Sequence, residues 1–197
     1  VIAGLTGGIA SGKSVVAGMF RELGAVIVES DRIGHDVILP GGPAYDDVVS
    51  AFGRSIIRED GTVDRDRLGA IVFHDAGKRQ LLESMTHPHI IRVIRESVTS
   101  AFMSGNAPMV MVESALLYET GLYLGFESIV VVYVERETQK KRLMLRNGLD
   151  EAEAEARIAS QMPLDEKAQR AQFVIDNSWD LERTRSQVRD VFACMTG

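Results

Sequence analysis

Gly7, Gly12, Lys13 and Ser14 fall in the order G-x-x-x-x-G-K-S within "VIAGLTGGIASGKSVV". Those residue types at that spacing suit one task, the holding of a polyphosphate. Glycines let the main chain curl so that successive N–H groups point inward, at the start of a helix whose dipole favours negative charge. Lys13 is long enough to reach the β- and γ-phosphates, and the Ser14 hydroxyl is placed to ligate Mg²⁺. The loop follows an apolar run and precedes a stretch in which Val15, Met19 and Leu23 recur at i, i+4 and i+8, the apolar face of a helix that stops at Gly24. A glycine-rich turn with a solvated lysine is the bland alternative, and the strand–loop–helix context argues against it. Nucleotide binding follows. Chemistry does not, because GTPases, motor ATPases and small-molecule kinases share this loop.

GTPases usually read guanine with an N-K-x-D segment; this chain has none, and "IDNSWD" lacks the lysine. A kinase for a small acceptor needs a carboxylate near the acceptor hydroxyl, a pocket, and further cations around the transferring phosphoryl group. Asp31, in "VESDRIGHD", stands where the second strand ends. The ends of adjacent strands one and two are expected to lie side by side, which puts Asp31 close to the loop; a helix cap explains it equally well on spacing alone. Glu113 ends "MVMVE" and either orients the acceptor or water around Mg²⁺ or is a solvated strand end. Gln139, Arg142 and Arg146 fall on one helical face, where two guanidinium groups suit a polyphosphate clamp, although solvated helices carry such arginines too. His87 and His89 flank Pro88 without a third ligand at metal spacing, so a proline-set helix start is the better account.

Elements must carry these groups. "VIAGL", "AVIVE", "MVMVE" and "SIVVVYV" are almost wholly apolar, and "FVIDN" is a fifth candidate; strands buried on both faces of a parallel sheet read this way. Alternation with helical stretches, the last from Leu181 to Met195, gives an α/β class. From about 31 to 106 the pattern turns helical, which reads as an insertion. A second, about 141–167, is rich in Arg, Glu, Ala and Gln and offers few core anchors, as a mobile flap would. With 197 residues, 45% hydrophobic and 25% charged, one elaborated domain is expected. A net charge of −6 argues against a nucleic-acid surface. Cys194 is the only cysteine, no leader is visible, and "SIVVVYV" is too short to span a membrane, so a cytoplasmic protein with no membrane partner is expected.

The ordered series of segments resembles the dephospho-coenzyme A kinase family over nearly the full length. "GLTGGIASGKS" matches the family's "GLTGGIGSGKS" with Ala10 for a glycine; Glu29, Ser30 and Asp31 stand at its D-A-D segment. "LPGGPAY", "DGTVDRDRLGAIVF", "LESMTHPHI", "ETQKKRLMLRNG" and "RIASQM" follow in order, and "AQFVIDN" has Gln172 for an acidic residue. "VESALLYE" carries Glu113 for an aspartate and Ala115 for a proline. The resemblance implies a P-loop NTPase-type fold like the nucleoside monophosphate kinases: a parallel core (about 1–30, 107–140 and 168–197), a helical acceptor-binding subdomain (about 31–106) and a lid (about 141–167). It implies transfer of the γ-phosphoryl of ATP, with Mg²⁺, to the ribose 3′-hydroxyl of dephospho-coenzyme A; a monomer is expected, although the sequence does not give the oligomeric state. By the same likeness Asp31, Lys13 and Arg146 are the catalytic groups. Gly8, Ile9, Ala10, Ser11, Gly12, Lys13, Ser14, Val15, Arg142, Arg146 and Asn177 would meet the nucleotide. Asp31, His87, Glu113, Leu116 and Leu117 would meet the acceptor, and Ser14 the metal. Another small-molecule kinase, a regulatory ATP-binding module and a coenzyme A-binding protein with a relic loop remain as rival readings.

Overall fold

The structure, a computed structural model, describes residues 1–105 and 107–197. All five apolar runs form strands: β1 (Ile2–Gly7), β2 (Val26–Glu29), β3 (Val110–Glu113), β4 (Ser128–Tyr133) and β5 (Phe173–Asp176). Every pairing is parallel, in the order β2-β3-β1-β4-β5. This gives the expected α/β class a definite topology. It also overturns the expectation that strands one and two are neighbours. The chain leaves β1, runs out to the sheet edge at β2, and returns after a long helical excursion to lay β3 in the gap. In register, Leu5 and Glu29 both lie opposite Glu113, so the carboxylate beside the loop-bearing strand is Glu113.

The strands are apolar because helices cover both faces. On one side Ala3, Leu5, Met109, Met111, Val130, Val132 and Ile175 pack with α1 (Lys13–Glu22) and with Val188 and Val191 of α9 (Leu181–Thr196). On the other, Ile129 and Val131 pack with Leu117 and Tyr118, and with Leu164 and Ala168 of α8 (Leu164–Arg170). The buried stripe of α1 is Val16, Ala17, Met19 and Phe20, while Val15 is 48% exposed. The apolar face is thus turned one residue from the expected one: Phe20 and Val16 are the pair that meets the sheet, and Val15 points away.

The chain forms two compact units, 1–29 with 98–197, and 30–97. The second is helical and has its own core of Val37, Ile38, Ala44, Val48, Ile56, Val63 and Leu68. It contains α2 (Ser30–Asp36), α3 (Tyr45–Phe52) and α4 (Arg65–Phe73), the last capped by Asp64, whose carboxylate accepts from the Asp66 and Arg67 amides. The 28-residue α5 (Ala76–Met103) runs straight through Pro88, so "HPH" does not start a helix. Proline removes one backbone donor, the one that would serve the Ser84 carbonyl, but a long helix with turns on both sides bridges the gap.

The charged segment is better anchored than its composition suggests. Its helices α6 (Arg136–Asn147) and α7 (Glu151–Ala159) close a small core in which Leu143, Ala154 and Ile158 are buried against Ile9, Ala10, Met144 and Leu149. A capping box between Asp150 and Glu153 starts α7. Outside, Lys140 gathers Glu151, Glu137 and Glu155 at 2.7, 3.1 and 3.6 Å, a network that raises the Lys140 pKa chiefly through the Glu151 bond. Among the described residues, no helix is long and apolar enough to cross a membrane.

Candidate active site

Past β1 the chain turns through Gly8–Gly12 and enters α1 at Lys13. The glycines answer to close neighbours. A Cβ on Gly7 would lie 2.5 Å from Ser11 Oγ, one on Gly8 2.5 Å from Gln139 Nε2, and one on Gly12 2.1 Å from Asn177 Nδ2. Gly12 also has φ +88°. Ala10, with φ 59°, is the only non-glycine in the left-handed region among the described residues. That conformation costs about 1–2 kcal/mol for an L-residue, and the packing of its methyl among Leu143, Ala154 and Ile158 offsets part of it. As a glycine, the N-cap brings no side chain to the first amides of α1; an anion can take that place.

Side chains far away in sequence hold this loop. Asn177, 5% exposed, donates from Nδ2 to the Ser11 carbonyl (2.8 Å) and accepts at Oδ1 from Thr184 (2.9 Å). Its own carbonyl accepts from Arg142 Nη2 at 3.0 Å. Just before it, Asp176 accepts from the Ser178 amide and from the indole of Trp179, both at 2.9 Å. Burial pushes the Asp176 carboxyl up, but the bonds from Ser178 and Trp179 outweigh it and hold the group below its ordinary 3.8. Ile9 is gripped at both polar atoms: its amide donates to Gln161 Oε1 and its carbonyl accepts from Gln139 Nε2, each at 2.8 Å.

Charge is focused at the loop's mouth. Lys13 Nζ lies 2.6 Å from Glu113 Oε1, and Ser14 Oγ donates to the same oxygen at 3.1 Å. Glu113 is only 6% exposed. It therefore meets Lys13 and Ser14 directly, where its sequence position offered either the acceptor or the water around Mg²⁺. Two residues on, the Ala115 carbonyl accepts from Thr6 Oγ1 (3.4 Å) and from Lys167 Nζ (2.7 Å). Lys167 is fully buried and pairs with Glu119 Oε1 at 2.9 Å; the same oxygen accepts from the Met162 amide.

Of the remaining expected residues, Gln139, Arg142 and Arg146 share a face of α6 but run from buried to exposed, and Arg146 Nε donates to Asn147 at 2.9 Å. Leu116 is 41% exposed; Leu117 is fully buried in the core and offers no surface in this conformation. Asp31 lies in the first turn of α2 and His87 lies half-buried in α5, both in the second unit. Gln161 and Lys167 escape a reading of residue types, and Gln139 was read for its position beside two arginines. Their partners lie 152, 52 and 130 residues away, so no local pattern marks them.

A model of the dephospho-CoA kinase family matches residues 1–183. A relative from Symbiobacterium thermophilum named dephospho-CoA kinase is 47% identical over 196 residues, covering 100% of this chain and 82% of that one. Another so named, from Carboxydothermus hydrogenoformans, is 47% identical, covering 95% and 90%. Among solved structures, a Thermus thermophilus protein superposes with a TM-score of 0.85 at 30% identity, covering 100% and 98%. Dephospho-CoA kinase from Campylobacter jejuni superposes with a TM-score of 0.73 at 28% identity, covering 99% and 96%. Shikimate kinase from Acinetobacter baumannii, at 14% identity and a TM-score of 0.53, shares the fold.

Proposed function

Because the chain belongs to the dephospho-CoA kinase family, we propose that its loop holds the phosphates of ATP while Asp31 receives the proton of the acceptor hydroxyl. The enzyme is a kinase that performs the final step of coenzyme A biosynthesis. The ribose 3′-oxygen of dephospho-coenzyme A attacks the γ-phosphorus, the bond to the β-phosphate bridging oxygen breaks, and ADP leaves. The transition state is loose, so positioning and neutralisation of charge matter more than the base. The observation that carries this reading is the meeting of Lys13, Ser14 and Glu113 at the adjacent ends of β1 and β3. There the ammonium is held over the helix N-terminus, where the phosphates would lie.

Mg²⁺ fits the same residues. One carboxylate and one hydroxyl within hydrogen-bond reach of each other suit an ion that otherwise keeps water and substrate phosphates. No cluster of three His, Cys, Asp or Glu side chains suited to a metal occurs among the described residues, so the metal would arrive with the nucleotide. When bound, it would neutralise developing phosphate charge. Ser14 and Glu113 would hold it, Lys13 would balance the β- and γ-phosphates, and Arg142 and Arg146 would approach them as the segment of about 141–167 closes. The segment of about 31–106 would receive the acceptor. We place the enzyme in the cytoplasm, in keeping with its single cysteine, and as a monomer.

Mass spectrometry tests the reading. Purified protein with ATP, Mg²⁺ and dephospho-coenzyme A should yield a product heavier by one phosphate, placed at the 3′-oxygen. No product, or equal phosphorylation of nucleoside monophosphates, would overturn it.

A further inference from the structure

We infer that Lys167 is a positioning residue for the metal: by holding the Ala115 carbonyl, its buried ammonium fixes the course of the chain out of β3 and, with it, the place of the Glu113 carboxylate. This rests on the function proposed above, in which Ser14 and Glu113 hold Mg²⁺.

Glu113 is the last residue of β3, and several rotatable bonds separate its carboxylate from the main chain. Its backbone must be fixed before Oε1 can be. On the strand side the ladder does this: Glu113 lies opposite both Leu5 and Glu29, and the Ser114 amide donates to the Leu5 carbonyl at 3.0 Å. There the ladder stops. No group among the described residues accepts from the Ala115 amide, and the chain then enters a turn closed by the Thr120 amide on the Leu116 carbonyl at 3.0 Å. Between ladder and turn the point of attachment is the Ala115 carbonyl, with Thr6 Oγ1 at 3.4 Å and Lys167 Nζ at 2.7 Å.

Lys167 acts through this peptide and not on a substrate. Its acceptors are the Ala115 carbonyl and both oxygens of Glu119, at 2.7, 2.9 and 3.2 Å, one for each N–H. It is fully buried, so it presents nothing to a phosphate. Burying a cation is costly, and a neutral donor would satisfy the same carbonyl. What the charge adds is stiffness, because a charge-assisted hydrogen bond is roughly twice as strong as a neutral one.

The same stretch of chain also holds the loop. Gln161 accepts from the Ile9 amide at 2.8 Å, the Met162 amide donates to Glu119 at 3.0 Å, and Lys167 follows in the first turn of α8. Ser14, at the end of the loop, and Glu113, at the end of β3, are thus both referenced to residues 161–167. A misplacement of about 1 Å can cost about 100-fold in rate, so two metal-holding groups from distant parts of the chain need such a common frame.

The test compares the native enzyme with Lys167→Met plus Glu119→Gln, which removes the bond to Ala115 and strands no charge. A third protein adds Ala115→Pro to that pair. Proline fixes its own φ and draws the preceding residue towards extended backbone, so it replaces the anchor without a donor. Thr6→Val removes the other donor to the carbonyl and keeps a β-branched residue in β1; it serves in case the double variant fails to fold. The readout is binding as well as turnover. A fluorescent ADP analogue is titrated in Mg²⁺ and in EDTA, and the ratio of Kd in EDTA to Kd in Mg²⁺ measures what the metal adds. We expect the double variant to lower that ratio about tenfold, the low end for groups that orient metal ligands, with Kd in EDTA unchanged. The Mg²⁺ concentration for half-maximal rate should rise in step. Ala115→Pro should recover most of the loss, and Thr6→Val should act in the same sense and by less. An unchanged ratio in the double variant, or in Thr6→Val should the former not fold, would overturn the positioning role while leaving the function standing. Equal weakening of both Kd values would mark Lys167 as a support of the fold alone and overturn it too. A folded triple variant with no recovery would assign the effect to the charge of Lys167 instead of the placement of Glu113, against the inference. A native ratio of one would instead defeat the metal site of the proposed function.

Discussion

Glu113 Oε1 takes hydrogen bonds from two loop residues, Lys13 at 2.6 Å and Ser14 at 3.1 Å, so a single carboxylate fixes both the counter-charge and the hydroxyl offered to a metal. The loop itself was legible because its chemistry requires contiguous residues: Gly7 through Ser14 must follow one another to wrap a phosphate. Glu113 was legible as a candidate for the acceptor or for water around Mg²⁺, but its hold on the loop was not, since its partners lie 100 and 99 residues back in the chain. Asp31 is assigned to the proton of the acceptor. Asp31→Asn should therefore lower kcat by about 100-fold or more while ATP binding, measured with a fluorescent nucleotide, is kept; near-native turnover would remove it from the chemistry. A second residue-level outcome concerns Asp176. Its folded pKa lies below the ordinary 3.8, so its contribution to stability is complete above the unfolded pKa and is lost as pH falls through the folded one. The indole of Trp179, the sole tryptophan, donates to this carboxylate. Its fluorescence should titrate with a midpoint under 3.8, and Asp176→Asn should abolish the step.

Among elements, the strands were the easiest to read, because a strand buried on both faces has no polar alternation to confuse it. Helices were harder. The period of α1 was right but its phase was off by one residue, since Val15 is as apolar as Val16 and only the tertiary fit distinguishes them. Pro88 pointed to a helix start, yet α5 passes through it; local propensity yields where a long helix is packed on both sides of the defect. The charged segment hid its anchors by using few and small ones, Leu143, Ala154 and Ile158. Those anchors reach the loop through Ile9, whose amide and carbonyl are each bound by a glutamine. Gln161→Ala leaves the half-buried Ile9 amide without its partner, a loss of about 1–3 kcal/mol. Hydrogen exchange at that amide should accelerate, and KM for ATP should rise several-fold with kcat less affected. Unchanged exchange would show that the loop keeps its shape without this bond.

At the scale of the molecule, the class was legible and the strand order was not. Apolar runs announce a parallel sheet, but nothing local tells β1 that its neighbours are β3 and β4. The buried ammonium of Lys167 belongs to this scale, because it ties α8 to the segment after β3 through the Ala115 carbonyl and Glu119. Removing one partner of a buried pair costs about 3–5 kcal/mol, since the other charge is stranded. Glu119 is 24% exposed on its side chain, so water would recover part of that. Lys167→Ala should lower the thermal midpoint markedly. Lys167→Met with Glu119→Gln, which removes both charges and keeps the volume, should restore much of the loss; no restoration would mean that the bond to Ala115, rather than the pair, carries the stability.

The insertion of β3 between β1 and β2 also has a consequence for synthesis on the ribosome. β1 and β2 emerge early, yet they cannot pair with each other, and both long edges of β1 stay bare until β3 and then β4, ending at Tyr133, leave the exit tunnel. From the synthesis of β1 until that of β3 the nascent chain must therefore carry an apolar strand with no partner, the kind of exposed edge on which newly made chains cling to one another. The helical unit, with a core drawn from neighbouring residues, can fold meanwhile. The loop of Gly7–Ser14 is made before β3 and β4, yet the strands that flank its own strand must be in place before the nucleotide site is finished.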